Sequence, residues 1–199
     1  IEPRSRAQNC RSLTQAPFSC QVYLWDAAEG SITELCTLAD EGDYVSSVSW
    51  VADGSYLAVG TANNQVQLWD VERAAKVRTM TSAGGRVAAM AWNNHILTTG
   101  SRTGEIYNHD VRIAEHHIQT LKGHTQEVCG LAWSPDGRFL ASGGNDNVVC
   151  IWTDAGVLHK RLTDHPAAVK ALAVCPWQPS LLASGGGASA RKIHFRNPA

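Results

Sequence analysis

The 199-residue chain has a formal net charge of −1 and a pI near 6.8, which gives no electrostatic footing for nucleic acid or an anionic membrane surface. It has no run of about 18 apolar residues to span a bilayer, and its N-terminal stretch lacks the apolar centre of a secretory signal. Six cysteines lie far apart with no Cys-x-x-Cys pair, which excludes the usual zinc and redox motifs and argues against a disulfide framework. The composition is that expected of a soluble intracellular protein.

In chain order, residues 1–20 differ in kind from the rest. Arg4, Arg6, Arg11, Gln8, Asn9, Gln15, Pro3 and Pro17 produce neither strand alternation nor helical periodicity. A divergent, disordered leader is expected there, with a basic peptide that docks on a partner as the alternative. From residue 21 to 199 strands end in an aromatic residue at a nearly constant interval. The anchors are Trp25, Trp69, His109, Trp152 and Phe195, in steps of 44, 40, 43 and 43. A second series is offset from it: Trp50, Trp92, Trp133 and Cys175, in steps of 42, 41 and 42. With Trp25-Asp26, Trp69-Asp70 and Gly123-His124 inside the unit, this is the periodicity of a WD-repeat β-propeller. The fold class is therefore all-β.

The cleanest copy runs from Gly123 to Asp164. Val128–Trp133, Phe139–Ser142, Val148–Trp152 and Leu158–Leu162 read as four short strands, and Pro135-Asp136-Gly137 reads as a turn between the first two. Within it, His124, Ser142, Asp146 and Trp152 fall where WD repeats place a hydrogen-bonded tetrad, a structural set whose members satisfy one another's buried polar groups. A Ser-His-Asp hydrolase is disfavoured, because no Gly-x-Ser-x-Gly elbow is present. The next copy keeps His165 and Ser184 but has Ala190 and Phe195 in the other two places, and a looser blade is expected. Cys129, Cys150 and Cys175 fall on strands as small hydrophobes. His116-His117 has no partners at metal spacing. Gly185-Gly186-Gly187 lacks the Lys-Ser/Thr ending of a phosphate loop, and positive φ in a tight connection is the expected use of these glycines. Neither a cofactor nor a metal is implied, and a non-catalytic binding module is the reading.

Four full units from about residue 39 to 198, preceded by the end of a fifth over 21–37, predict an arc of a larger ring rather than a closed one. The start at Ile1 adds to the expectation of a fragment. Such an arc would expose two blade faces and unpaired strand edges.

Glu127–Leu131, Leu140–Asn147 and Leu182–Gly187, together with Val66–Asp70 and Asp110–His117, resemble the Fizzy family, the substrate-recruiting coactivators of the anaphase-promoting complex ubiquitin ligase. The segment Asp110–His117 is more similar to the mitotic member than to its Fizzy-related sister. The resemblance implies a seven-bladed ring in the cytoplasm and nucleus, a non-enzymatic role, and partners comprising the complex itself, degron-bearing substrates and spindle-checkpoint proteins. It also implies a top-face pocket for a Lys-Glu-Asn motif, with Asn145 and Asn147 among its contacts. An amide offers both donor and acceptor and suits that task. The plainer reading is that both asparagines serve a left-handed turn. Ala188 stands where the family has Thr lining the same pocket, and Ala190 where it has Asp. A second degron groove is implied between the second and third blades, around Val66–Val87. The resemblance implies a destruction-box groove between the first and last blades, nearly all of which is expected to be missing from this chain, and a ligase-docking N-terminal motif and an Ile-Arg tail, neither of which is visible in it. A generic WD-repeat scaffold without degron recognition is the competing reading.

Overall fold

The computed structural model describes residues 10–13, 20–187 and 189–197. These form five antiparallel meanders, each a blade whose strands follow one another in sequence. The first holds β1 (Cys10–Leu13), β2 (Gln21–Asp26) and β3 (Ser31–Thr37); the second β4 (Val45–Trp50), β5 (Tyr56–Thr61), β6 (Gln65–Asp70) and β7 (Ala75–Thr81). The third holds β8 (Val87–Asn93), β9 (Ile96–Ser101), β10 (Glu105–Asp110) and β11 (His117–Lys122); the fourth β12 (Val128–Trp133), β13 (Phe139–Gly144), β14 (Val149–Thr153) and β15 (Leu158–Leu162). The fifth holds β16 (Val169–Cys175), β17 (Gln178–Gly186) and β18 (Ile193–Arg196). β1 falls inside the segment expected to be a leader, pairing Cys10 with Asp26 and Leu13 with Tyr23. Strand pairing there needs only main-chain groups, so the weak side-chain pattern did not reveal it.

The core is a series of layers between blades. Val22, Leu24, Leu35 and Leu57 fill the first gap, and Val66, Met80, Val87 and Leu97 the second. Ile106, Leu121, Val128, Leu140 and Trp152 fill the third, and Val149, Ile151, Val169 and Leu182 the fourth. A repeated device closes each of the last three gaps. A glycine in the second strand of one blade faces a fully buried valine at the start of the next: Gly60 meets Val87, Gly100 meets Val128, and Gly143 meets Val169. A methyl at Gly100 would lie 2.7 Å from Val128 Cγ1, and one at Gly143 would overlap the Val169 carbonyl. Next to each of these valines the inner strand bulges by one residue, at Ala88, Cys129 and Lys170, and β4 does the same at Ser46 beside Val45. Such bulges add local twist to a sheet.

Register corrects the last member of both aromatic series. Leu57, Leu97 and Leu140 oppose Trp69, His109 and Trp152, and Leu182 opposes Arg196, not Phe195. Phe195 points to the other side of its strand and is 69% exposed. Likewise Trp50, Trp92 and Trp133 oppose those same three leucines, whereas Leu182 faces Val174 and not Cys175. The period-2 rule explains both errors, since a one-residue slip moves a side chain to the opposite face.

Gly137 takes φ 70° in the Pro-Asp-Gly turn as expected. The three consecutive glycines do not follow expectation: none of Gly185, Gly186 or Gly187 has positive φ. Gly186 is required by close approach instead, because a methyl there would sit 2.6 Å from Ala190 Cβ and 3.1 Å from His165 Nδ1.

Candidate functional site

The turn between β13 and β14 carries Asn145, Asp146 and Asn147. Its rigidity comes from Asp146, which accepts from His124 Nδ1 at 3.0 Å and from the main-chain N–H groups of Thr125 (3.0 Å) and Val148 (3.2 Å). His124 Nε2 lies 2.8 Å from Ser142 Oγ, which also accepts from Trp152 Nε1 at 2.8 Å. The four side chains expected as a tetrad thus form one continuous chain of hydrogen bonds. Burial pushes the Asp146 carboxyl up, but the bonds from Thr125 and His124 outweigh it and hold the group below the usual carboxylate range.

On either side of Asp146, Asn145 is exposed and Asn147 half-buried. Asn147 adopts φ 65°, so the left-handed-turn reading holds for it; Asn145 is not left-handed. Asn145 is exposed and donates its main-chain N–H to the Glu127 carbonyl at 2.8 Å. Its side-chain oxygen accepts a weak bond from Cys129 Sγ at 3.4 Å. Ala188, the third residue expected in the pocket, lies outside the described residues.

Beside Asn145 opens a polar cavity of about 810 Å³, walled by loops of the second, third and fourth blades. Tyr44, Asn63, Arg86, Arg102 and Glu127 line it, and sequence reading identified none of them. They come from turns far apart in the chain. The only advance signal was the near-constant repeat, which places every blade's turns of one type at the same end. Glu127 Oε1 accepts from Arg86 Nε at 2.9 Å and Nη2 at 2.5 Å, tying the third blade to the fourth. That bond leads the causes that hold the Arg86 guanidinium above its ordinary value.

The CDC20/Fizzy WD40 domain model matches residues 12–199. The chain belongs to the CDC20/Fizzy family. It is 54% identical to the WD repeat-containing protein slp1 of Schizosaccharomyces pombe, over 89% of this chain and 36% of that protein. It is 50% identical to the anaphase-promoting complex subunit cdc20 of Dictyostelium discoideum, over 91% and 37% respectively. A solved structure, the crystal structure of the mitotic checkpoint complex, contains a chain that superposes with a TM-score of 0.88 at 50% identity, over 95% of this chain and 56% of that one. The chain therefore spans well under half the length of these two curated relatives and represents part of a CDC20/Fizzy propeller.

The fifth blade of this family member departs from the fourth. His165 Nε2 meets Ser184 Oγ at 2.9 Å, but Ala190 occupies the place of Asp146, and His165 Nδ1 is buried with no partner among the described residues. Arg196, in the place of Trp152, pairs with Asp164 at 2.5 Å and leaves Nε and Nη2 buried without partners among the described residues. The third blade shows a working substitute: Ser82, Thr99 and His109 are linked at 2.6 and 3.0 Å, and His109 Nδ1 lies 2.9 Å from His116 Nδ1. Among the described residues no group of three or more His, Cys, Asp or Glu is arranged to hold a metal ion.

Proposed function

We propose that this chain is the substrate-facing part of a non-catalytic activator of the anaphase-promoting complex ubiquitin ligase, working in mitosis in the cytoplasm and nucleus. It captures proteins bearing Lys-Glu-Asn degrons at Asn145 and Asn147. One observation carries the reading: the tetrad fixes Asp146 between two asparagines, and among the described residues neither asparagine's side-chain NH2 donates a hydrogen bond. A rigid pair of amides is pre-organised to exchange hydrogen bonds with a peptide's Asn side chain and main chain. The cofactor role printed for an Arabidopsis relative, "Cell division cycle 20.1, cofactor of APC complex", and the checkpoint assembly of the structural neighbour support the same partners for this chain. The mechanism is tethering, which raises the local concentration of substrate lysines at the ligase. No cofactor is needed for it. A second degron groove is proposed between the second and third blades, around Val66–Val87, where Arg78 donates to the Val111 and Ile113 carbonyls at 2.7 and 2.8 Å and ties the two blades together.

The test is fluorescence anisotropy of a labelled Lys-Glu-Asn peptide titrated with the folded chain. Asn145→Ala and Asn147→Gly, the latter chosen to keep the left-handed turn, are each expected to weaken binding about tenfold. Ala188→Thr is expected to strengthen it several-fold by adding a hydroxyl. Binding indifferent to both asparagines leaves a generic scaffold as the better description.

A further inference from the structure

We infer that the cavity beside Asn145 is a second subsite, which takes an acidic side chain from the peptide flank with Arg102 as its cationic partner. The inference rests on the degron-binding reading of Asn145 and extends it. Two cations and one anion among the lining residues decide its chemistry. Arg86 is consumed by Glu127, through two donors on one carboxylate oxygen. Arg102 is held in place by its main chain, whose N–H donates to the Arg86 carbonyl at 3.0 Å. Its side chain is exposed and makes no hydrogen bond or ion pair among the described residues. The cavity therefore presents one uncompensated guanidinium on a polar wall.

That balance selects a carboxylate. A guanidinium receives a carboxylate through two parallel N–H donors. A dianionic phosphate would ask for a second free cation and would share the cavity with the Glu127 carboxylate. The rim is open to a peptide main chain: Gly42 and Gly85 line it, both with positive φ, and no side chain projects from either. Arg102 belongs to the third blade and the asparagine turn to the fourth, and the acidic residue assigned to Arg102 is one that flanks the three-residue motif. The link to the motif site is physical. Glu127 bonds Arg86 through its side chain and Asn145 through its carbonyl, so the two subsites share one frame.

The experiment compares labelled peptides with a central Lys-Glu-Asn whose flanks carry Asp, Asn or Lys on either side. Each is titrated against the folded chain, Arg102→Gln and Arg102→Glu. On one side of the motif the Asp-flanked peptide is expected to bind about tenfold tighter than the Asn-flanked one. That preference should vanish in Arg102→Gln and pass to the Lys-flanked peptide in Arg102→Glu. Equal affinity of Asp- and Asn-flanked peptides, with binding still dependent on Asn145, overturns the subsite and leaves the degron reading intact. No binding of any peptide by the folded chain overturns both.

Discussion

The fourth and fifth blades start from nearly the same sequence framework and reach different states. Both place a histidine against a serine, 2.8 Å apart in one and 2.9 Å in the other. In the fourth, an aspartate and a tryptophan complete the chain, and every polar atom of the set has a partner. In the fifth, alanine and arginine stand in those places, and three buried nitrogen atoms have none among the described residues. The third blade makes the comparison sharper, since it also lacks the His-Asp-Trp combination yet satisfies its hydroxyls with Ser82 and His109. What matters is closure of the network rather than the identity of its members, because an unpaired buried group costs more than a formed bond contributes.

The comparison breaks most severely at its hub. Ser142→Ala removes the shared acceptor of Trp152 and partner of His124 and is expected to cost about 3 kcal/mol. Ser184→Ala removes one bond from a network already open and should cost about 1 kcal/mol. Amide hydrogen exchange resolved by blade checks this ratio, and equal losses would refute the distinction. In the other direction, Ala190→Asp offers His165 Nδ1 the acceptor that Asp146 gives His124, with an expected gain of about 1 kcal/mol in urea unfolding.

Acid should separate the blades as well. Burial, followed by the charges of His194 and Arg196, holds His165 below its ordinary pKa of 6.5. The unfolded chain therefore takes up that proton first, so the stability His165 contributes is complete above pH 6.5 and lost as pH falls below it. Asp146 is held below 3.8, so its contribution persists until pH falls through that value. Between pH 7 and 5 the fifth blade is expected to lose exchange protection while the fourth keeps it. His109, pushed down to about 3 by burial and by His116, adds a loss of the same sign in the third blade. The smallest effect is at the surface: Arg86→Gln breaks a partly exposed pair and should cost about 0.5 kcal/mol, measured by urea midpoint.

The blade repeat and the intact tetrad were legible in the sequence because a satisfied polar network demands fixed residue types at fixed spacing. The misplaced anchors were not. Phe195 and Cys175 look more like members of an aromatic or half-buried series than Arg196 and Val174 do, and only strand register shows which of two neighbours faces inward. Asn145 and Asn147 could not be told apart by type, since φ alone assigns the turn role to the second. The cavity was hidden for a different reason: Tyr44, Arg86 and Arg102 carry no motif, Glu127 opens one that says nothing of a cavity, and only the ring brings them together.

The glycine–valine contacts between blades also set an order of assembly. Each glycine waits for a valine that lies 26 to 28 residues further along the chain. During synthesis from the N-terminus, a blade cannot finish its interior when its own last strand emerges. It finishes when the first strand of its successor arrives, so the arc is built as a procession in which the second, third and fourth blades are each completed by the one behind.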